Sequence, residues 1–149
     1  MNFYIIQFGG TRSGTLFEAH EVRTAFGMSI EHALDSVADL VRSGMAQCHT
    51  DGFAEIRLED AAARQDEMLY LVETGSNGPA MFEQHGYEFV WARNAREAQS
   101  LMTRPAHRCH IDTVFNVSRA VGQAGYAVPR LGPDGQSHVP LQKPFYKRF

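Results

Sequence analysis

A chain of 149 residues, 44% of them apolar, is long enough to bury one ordinary core, and a net charge of −3 with no long basic block argues against a nucleic-acid binder. No run approaches a membrane span, and the opening MNFYIIQFGG lacks the basic start and long apolar stretch of a signal peptide, so a soluble cytoplasmic protein is expected. Cys48 and Cys109, without a Cys-x-x-Cys pair, make no zinc or redox motif and are expected to stay reduced.

The first element is FYIIQF at 3–8, a short continuous apolar run that reads as a strand covered on both faces. The following GGTRSGT has glycines in turn positions but neither the lysine of a Walker loop nor the spacing of a dinucleotide loop. It reads as a hairpin connection, with Arg12 as a candidate for holding an anion. A second strand follows, on which Leu16, Glu18, His20, Val22, Thr24 and Phe26 alternate with Phe17, Ala19, Glu21, Arg23 and Ala25. SIEHALDSVADLVRSG then places Ile30, Ala33, Leu34, Val37 and Val41 on one helical stripe, with Ser29 as N-cap and Gly44 at the stop. A third strand carries CHTDGFAEI at 48–56, with Cys48, Thr50, Ala54 and Ile56 on its more apolar side.

After the charged linker EDAAARQDE the same order returns. LYLVETGS at 69–76 answers to FYIIQFGG, Phe82, Glu83 and His85 answer to Phe17, Glu18 and His20, and CHIDTVFNV at 109–117 answers to CHTDGFAEI. Between them NAREAQSLMTRP is a shorter helix, capped by Asn94 with Glu97 at the capping-box position and closed by Pro105. The fold class predicted is α+β: an internal duplication of a strand-strand-helix-strand unit, at about 3–58 and 68–119, packed about a pseudo-twofold axis as one globular domain over 1–122. In each copy the handedness rule makes the second and third strands parallel in one sheet, and the first pairs antiparallel through the glycine-bearing loop. Residues 123–149, rich in proline, read as an extended tail without regular structure, whose Tyr126, Phe145, Tyr146 and Phe149 clamp onto the body or a partner subunit.

The segments FEAHEV and CHTDGF, with FEQHGY and CHIDTVF, resemble an uncharacterised bacterial family known as a domain of unknown function, present in one or two copies per chain. Its motif is a glycine-rich loop, Glu-x-His followed by an acid, a helix, and His-x-Asp; Glu18, His20, Glu21, His49 and Asp51 match it in the first copy. Gly86 stands where the second copy should carry the acid after its histidine, and the resemblance brings no activity with it.

Glu18 with His20, and His49 with Asp51, lie two apart on their strands; if the two pairs share a sheet face, two imidazoles and two carboxylates converge in a set that suits zinc, manganese or iron. Glu83, His85, His110 and Asp112 repeat the set. Against this, the apolar side of the third strand faces the other way, so His49 and Asp51 are placed to point away from the core. The sequence offers no nucleophile with an evident base. The reading favoured is a non-catalytic ligand-binding or assembly module, with a small-molecule ligand and a homo-oligomer as the partners left open; the alternative is a metal-dependent enzyme using these clusters with a divalent metal.

Overall fold

The computed structural model describes residues 1–60, 66–76, 84–102, 109–128 and 141–149. The chain is α+β and divides into two compact units, Met1–Leu58 with Pro140–Phe149, and Glu59–Val139.

In the first unit β1 (Asn2–Thr11) is flanked on one side by β2 (Ala19–Gly27) and on the other by β3 (Ala46–Arg57), both antiparallel to it. The second and third strands therefore do run parallel in one sheet, but with β1 between them. The β1–β2 connection is a hairpin loop with Gly14 at φ 83, the left-handed region that glycine enters without cost, and a Thr15 N–H bond to Arg12 O. Strand β2 starts later than its alternation suggests: Leu16 and Phe17 lie before it and are exposed.

Helix α1 (Ile30–Gly44) forms as its pattern predicts, with Ser29 Oγ accepting the His32 N–H at 3.3 Å. Its stripe of Ala33, Leu34 and Val41 packs with Tyr4, Ile6, Phe8, Ala25, Cys48 and Phe53, and Ile30 and Val37 border that core. Full burial of Phe8 and Leu34 stabilises the unit by about 1.5–3 kcal/mol each relative to exposure. Burial also pushes the Cys48 thiol up, in keeping with its role as a small apolar core residue.

In the second unit β5 (Met68–Ser76) takes the central place, between β6 (Gln84–Ala92) and β7 (Cys109–Asn116), again antiparallel to both. Helix α2 (Ala95–Leu101) joins β6 to β7 and packs Ala98, with Met102 just after it, against Tyr70, Val72 and Ala92. Asn94 caps it as expected, accepting the Glu97 N–H at 3.0 Å. Glu97 reaches back to the N–H of Arg93 rather than that of Asn94, one residue beyond the usual capping box.

Two features correct the expected C-terminal part: the third strand of the second half, expected to run through Val117, stops at Asn116, and part of the expected tail is a strand. Residues Val117–Gln123 form a further helix, α3, capped by Asn116 and burying Val117 and Val121. Its Ser118 hydroxyl accepts the Leu69 N–H at 2.8 Å, tying it to β5. NVS at 116–118 is thus a helix start, and Gly125 at φ 86 follows its end. Two short strands, β4 (Glu59–Asp60) and β8 (Tyr126–Ala127), pair just beyond.

The second correction is β9 (Leu141–Arg148), which adds antiparallel to the outer side of β3 and gives the order β2-β1-β3-β9. Proline does not bar this, because an edge strand can present its missing N–H position away from the ladder. Phe149 does dock as an aromatic clamp: its ring lies 6.0 Å from that of Phe8, with Arg42 and Lys147 over its face. Among the described residues no helix is long and apolar enough to cross a membrane.

Candidate metal centre

The same register places polar side chains together in each unit. In the first, Gly9 on β1 is paired with His20 on β2 and with His49 on β3, so both histidines flank a position with no side chain of its own. In the second, Gly75 on β5 is paired with His85 on β6 and His110 on β7. Cross-strand partners project to one face, and that face is opposite to the one carrying α1 or α2, since Phe8 and Tyr4, or Val72 and Tyr70, belong to the helix-facing cores.

A β-bulge brings the aspartates in. Gln7 pairs with Gly52 and Phe8 with Thr50, which leaves Asp51 as the extra residue on β3. In β7 the extra residue is Asp112, since Glu73 pairs with Thr113 and Thr74 with Ile111. Each bulge reverses the alternation behind it: Cys48 and Phe53 share the helix-facing core although five apart, as do Ile111 and Val114 although three apart. His49 and Asp51 thus point away from the helix-side core, on the face that also carries His20.

In the first unit His49 Nε2 lies 3.0 Å from Glu18 Oε1 and 3.3 Å from Asp51 Oδ1. His20 Nε2 lies 3.6 Å from Asp51 Oδ2 and 3.9 Å from Glu18 Oε2. All four residues expected from the sequence therefore meet. The enclosed member is His49, whose side chain is 15% exposed, whereas His20 is 49% exposed. Arg12, the anion candidate, is engaged elsewhere: its guanidinium donates to Glu21 Oε2 at 2.8 Å, and Glu21 also pairs with Arg23.

In the second unit His85 Nδ1 is 3.3 Å from Glu73 Oε1 and 3.2 Å from Asp112 Oδ2, and His110 Nε2 is 2.9 Å from Asp112 Oδ1. One ligand atom from each of Glu73, His85 and Asp112 can be chosen so that all lie within 4.8 Å of one another. Glu83 and Phe82 lie outside the described residues.

Glu73 and its partner Tyr87 did not figure among the residues picked out by sequence. Tyr87 faces Glu73 across the β5–β6 pair and donates its hydroxyl to Glu73 Oε1 at 3.0 Å. The signal was present: Glu73 is the lone charge in MLYLVETG, two residues before Gly75 and so on the face of the flanking histidines, where the first unit has Gln7. Gly86, where the first unit has Glu21, faces Thr74 and is no part of the cluster.

Burial first, then the hydrogen bond and charge of Glu73, push the Tyr87 phenol up to about 12. A phenol raised in the folded state keeps its full stabilising effect below the ordinary tyrosine value near 10 and loses it as pH climbs from there towards 12. Alkaline titration followed by phenolate absorbance is expected to show a late-ionising tyrosine that Tyr87→Phe removes. Tyr4, also raised by burial, persists as a second late group in that variant. An unchanged late phase in Tyr87→Phe would contradict the assignment.

No protein-family model and no curated protein matches this chain. It is similar in fold to the crystal structure of protein Il1583 from Idiomarina loihiensis, at 20% identity and a TM-score of 0.58, over 99% of this chain and 97% of the other. At that identity the likeness extends to the α+β architecture alone.

Proposed function

We propose that this protein is a non-catalytic binding module for a divalent cation, held in the second unit by Glu73, His85 and Asp112. The observation that carries the reading is the mutual approach of three ligand atoms within 4.8 Å, one imidazole nitrogen and two carboxylate oxygens. An ion about 2.0–2.2 Å from each donor needs neighbouring donors roughly 3.0–3.4 Å apart. The His85 contacts of 3.2 and 3.3 Å match that spacing. Two carboxylates balance the charge of a divalent ion, and their outer contacts hold them in place: Tyr87 on Glu73 and His110 on Asp112. The same strand order, glycine position and bulge in both units support descent from one duplicated unit, and the resemblance to a two-copy bacterial family belongs to the same proposal.

Isothermal titration of tag-free, chelator-treated protein with Mn²⁺ and Zn²⁺ tests it. Asp112→Asn and His85→Ala are each expected to remove one binding event. Tyr87→Phe, which loosens a carboxylate without removing a ligand, is expected to weaken that event by about tenfold. A folded Asp112→Asn protein with unchanged stoichiometry and affinity would refute the reading.

A further inference from the structure

We propose that β2 of the first unit is an interaction surface for a second copy of this chain, the two outer strands pairing antiparallel about a twofold axis at Val22. The inference does not rest on the cation site of the second unit.

The strand is open to such pairing. β2 (Ala19–Gly27) is the end strand in the order β2-β1-β3-β9, and among the described residues no strand pairs with its outer side. It runs against β1 over its whole length without a bulge, whereas β3 is bulged. It carries neither proline nor lysine, two of the usual means by which an outer strand is kept from joining another chain.

The occupant follows from the order of the side chains. When a strand pairs antiparallel with its own copy, one residue lies opposite its counterpart at the axis, and paired residues share a sheet face. An axis at Glu21 or at Arg23 would set like charges opposite one another, which is destabilising. An axis at Val22 instead sets Glu21 opposite the second copy's Arg23, and Arg23 opposite its Glu21, with His20 opposite Thr24 on the other face. The Arg23 side chain is 39% exposed and its Nε donates to Glu21 of its own chain. The guanidinium carries further N–H groups for the second copy's Glu21.

The same register gathers exposed apolar side chains. Leu16, Val22 and Met28 are 93%, 38% and 68% exposed although large and apolar. Leu16 and Met28 lie just outside the two ends of β2, equally far along the chain from Val22. Pairing about Val22 therefore brings Leu16 of each copy towards Met28 of the other, and Val22 against Val22.

The equivalent strand of the second unit lacks this pattern. His20 and His85 hold the same place beside Gly9 and Gly75, so Gly86, Tyr87 and Glu88 answer to Glu21, Val22 and Arg23. An axis at Tyr87 would set Glu88 opposite Gly86, with no charge to meet it. The acid that follows the histidine in the first half alone thereby gains a role, as one member of a self-complementary pair.

Sedimentation velocity of the full-length chain from about 5 to 500 µM tests the proposal, a range suited to a contact smaller than the ~1,600 Å² of a standard interface. Wild-type protein is expected to show a monomer–dimer equilibrium. Val22→Lys, at an exposed position, is expected to weaken it by about tenfold or more, since it sets like charges together at the axis. Glu21→Arg and Arg23→Glu are each expected to be monomeric, because each alone sets like charges opposite one another. An equimolar mixture of these two is expected to dimerise, since every cross-strand pair between them has opposite signs. Far-ultraviolet circular dichroism checks that the variants are folded, and Val22→Lys decides by itself if either charge variant is not. A wild-type chain that stays monomeric over the whole range, a dimer unaffected by Val22→Lys, or a mixture of folded charge variants that stays monomeric would overturn the inference.

Discussion

Removing residues 141–149 is expected to lower the stability of the first unit by about 3–5 kcal/mol, the sum of an aromatic anchor and a set of partly buried hydrogen bonds. The anchor is Phe149, packed on the fully buried Phe8 and covered by Arg42 and Lys147. The hydrogen bonds include Phe149 N–H to Cys48 O at 2.9 Å and Lys147 N–H to the buried Thr50 hydroxyl at 3.0 Å. Without β9, β3 becomes an outer strand with open backbone groups, and association of the truncated chain should rise with concentration. Urea unfolding followed by circular dichroism measures the loss. A change below about 1 kcal/mol would mean that β9 lies on the sheet without supporting it.

Phe8→Ala is expected to cost about 3–5 kcal/mol, the range for deleting a fully buried phenylalanine. Phe8 sits on the central strand with no exposed surface, so neither β2 nor β3 can close over the space without disturbing its own pairing with β1. Because Phe8 and Phe149 touch, the two changes should not add: the truncation combined with Phe8→Ala is expected to cost less than their sum by about 0.5–3 kcal/mol. Strict additivity would show that Phe149 contributes through the β9 backbone rather than through its ring.

How far the sequence carries depends on whether a signal is local. Helix α1 was legible to the residue because its cap, its stripe and its stop all lie within one stretch, and Asn94 announced α2 in the same way. The meeting of Glu18, His20, His49 and Asp51 could be anticipated as a condition, that the pairs share a face. Counting along β3 placed His49 and Asp51 away from the core, as they are; what it could not show is that His20 lies on that same face, across Gly9. Helix α3 carried a readable cap in Asn116 and apolar spacing in Val117 and Val121, but the match of CHIDTVFNV to CHTDGFAEI drew Val117 into the third strand.

The amino-acid sequence by itself determined the repeated order of strands and helices in the two halves, both ends of α1 and the start of α2, and the histidines and acids that recur. Tertiary structure decided which of those residues meet. The bulges at Asp51 and Asp112 turn their strands by one residue, the central glycines leave room between paired histidines, and Glu73 enters the second cluster from a strand whose neighbours in sequence are apolar. It also decided that the last residues complete the first unit's sheet, since a strand is defined by the partner it pairs with, and β3 lies almost a hundred residues away from β9.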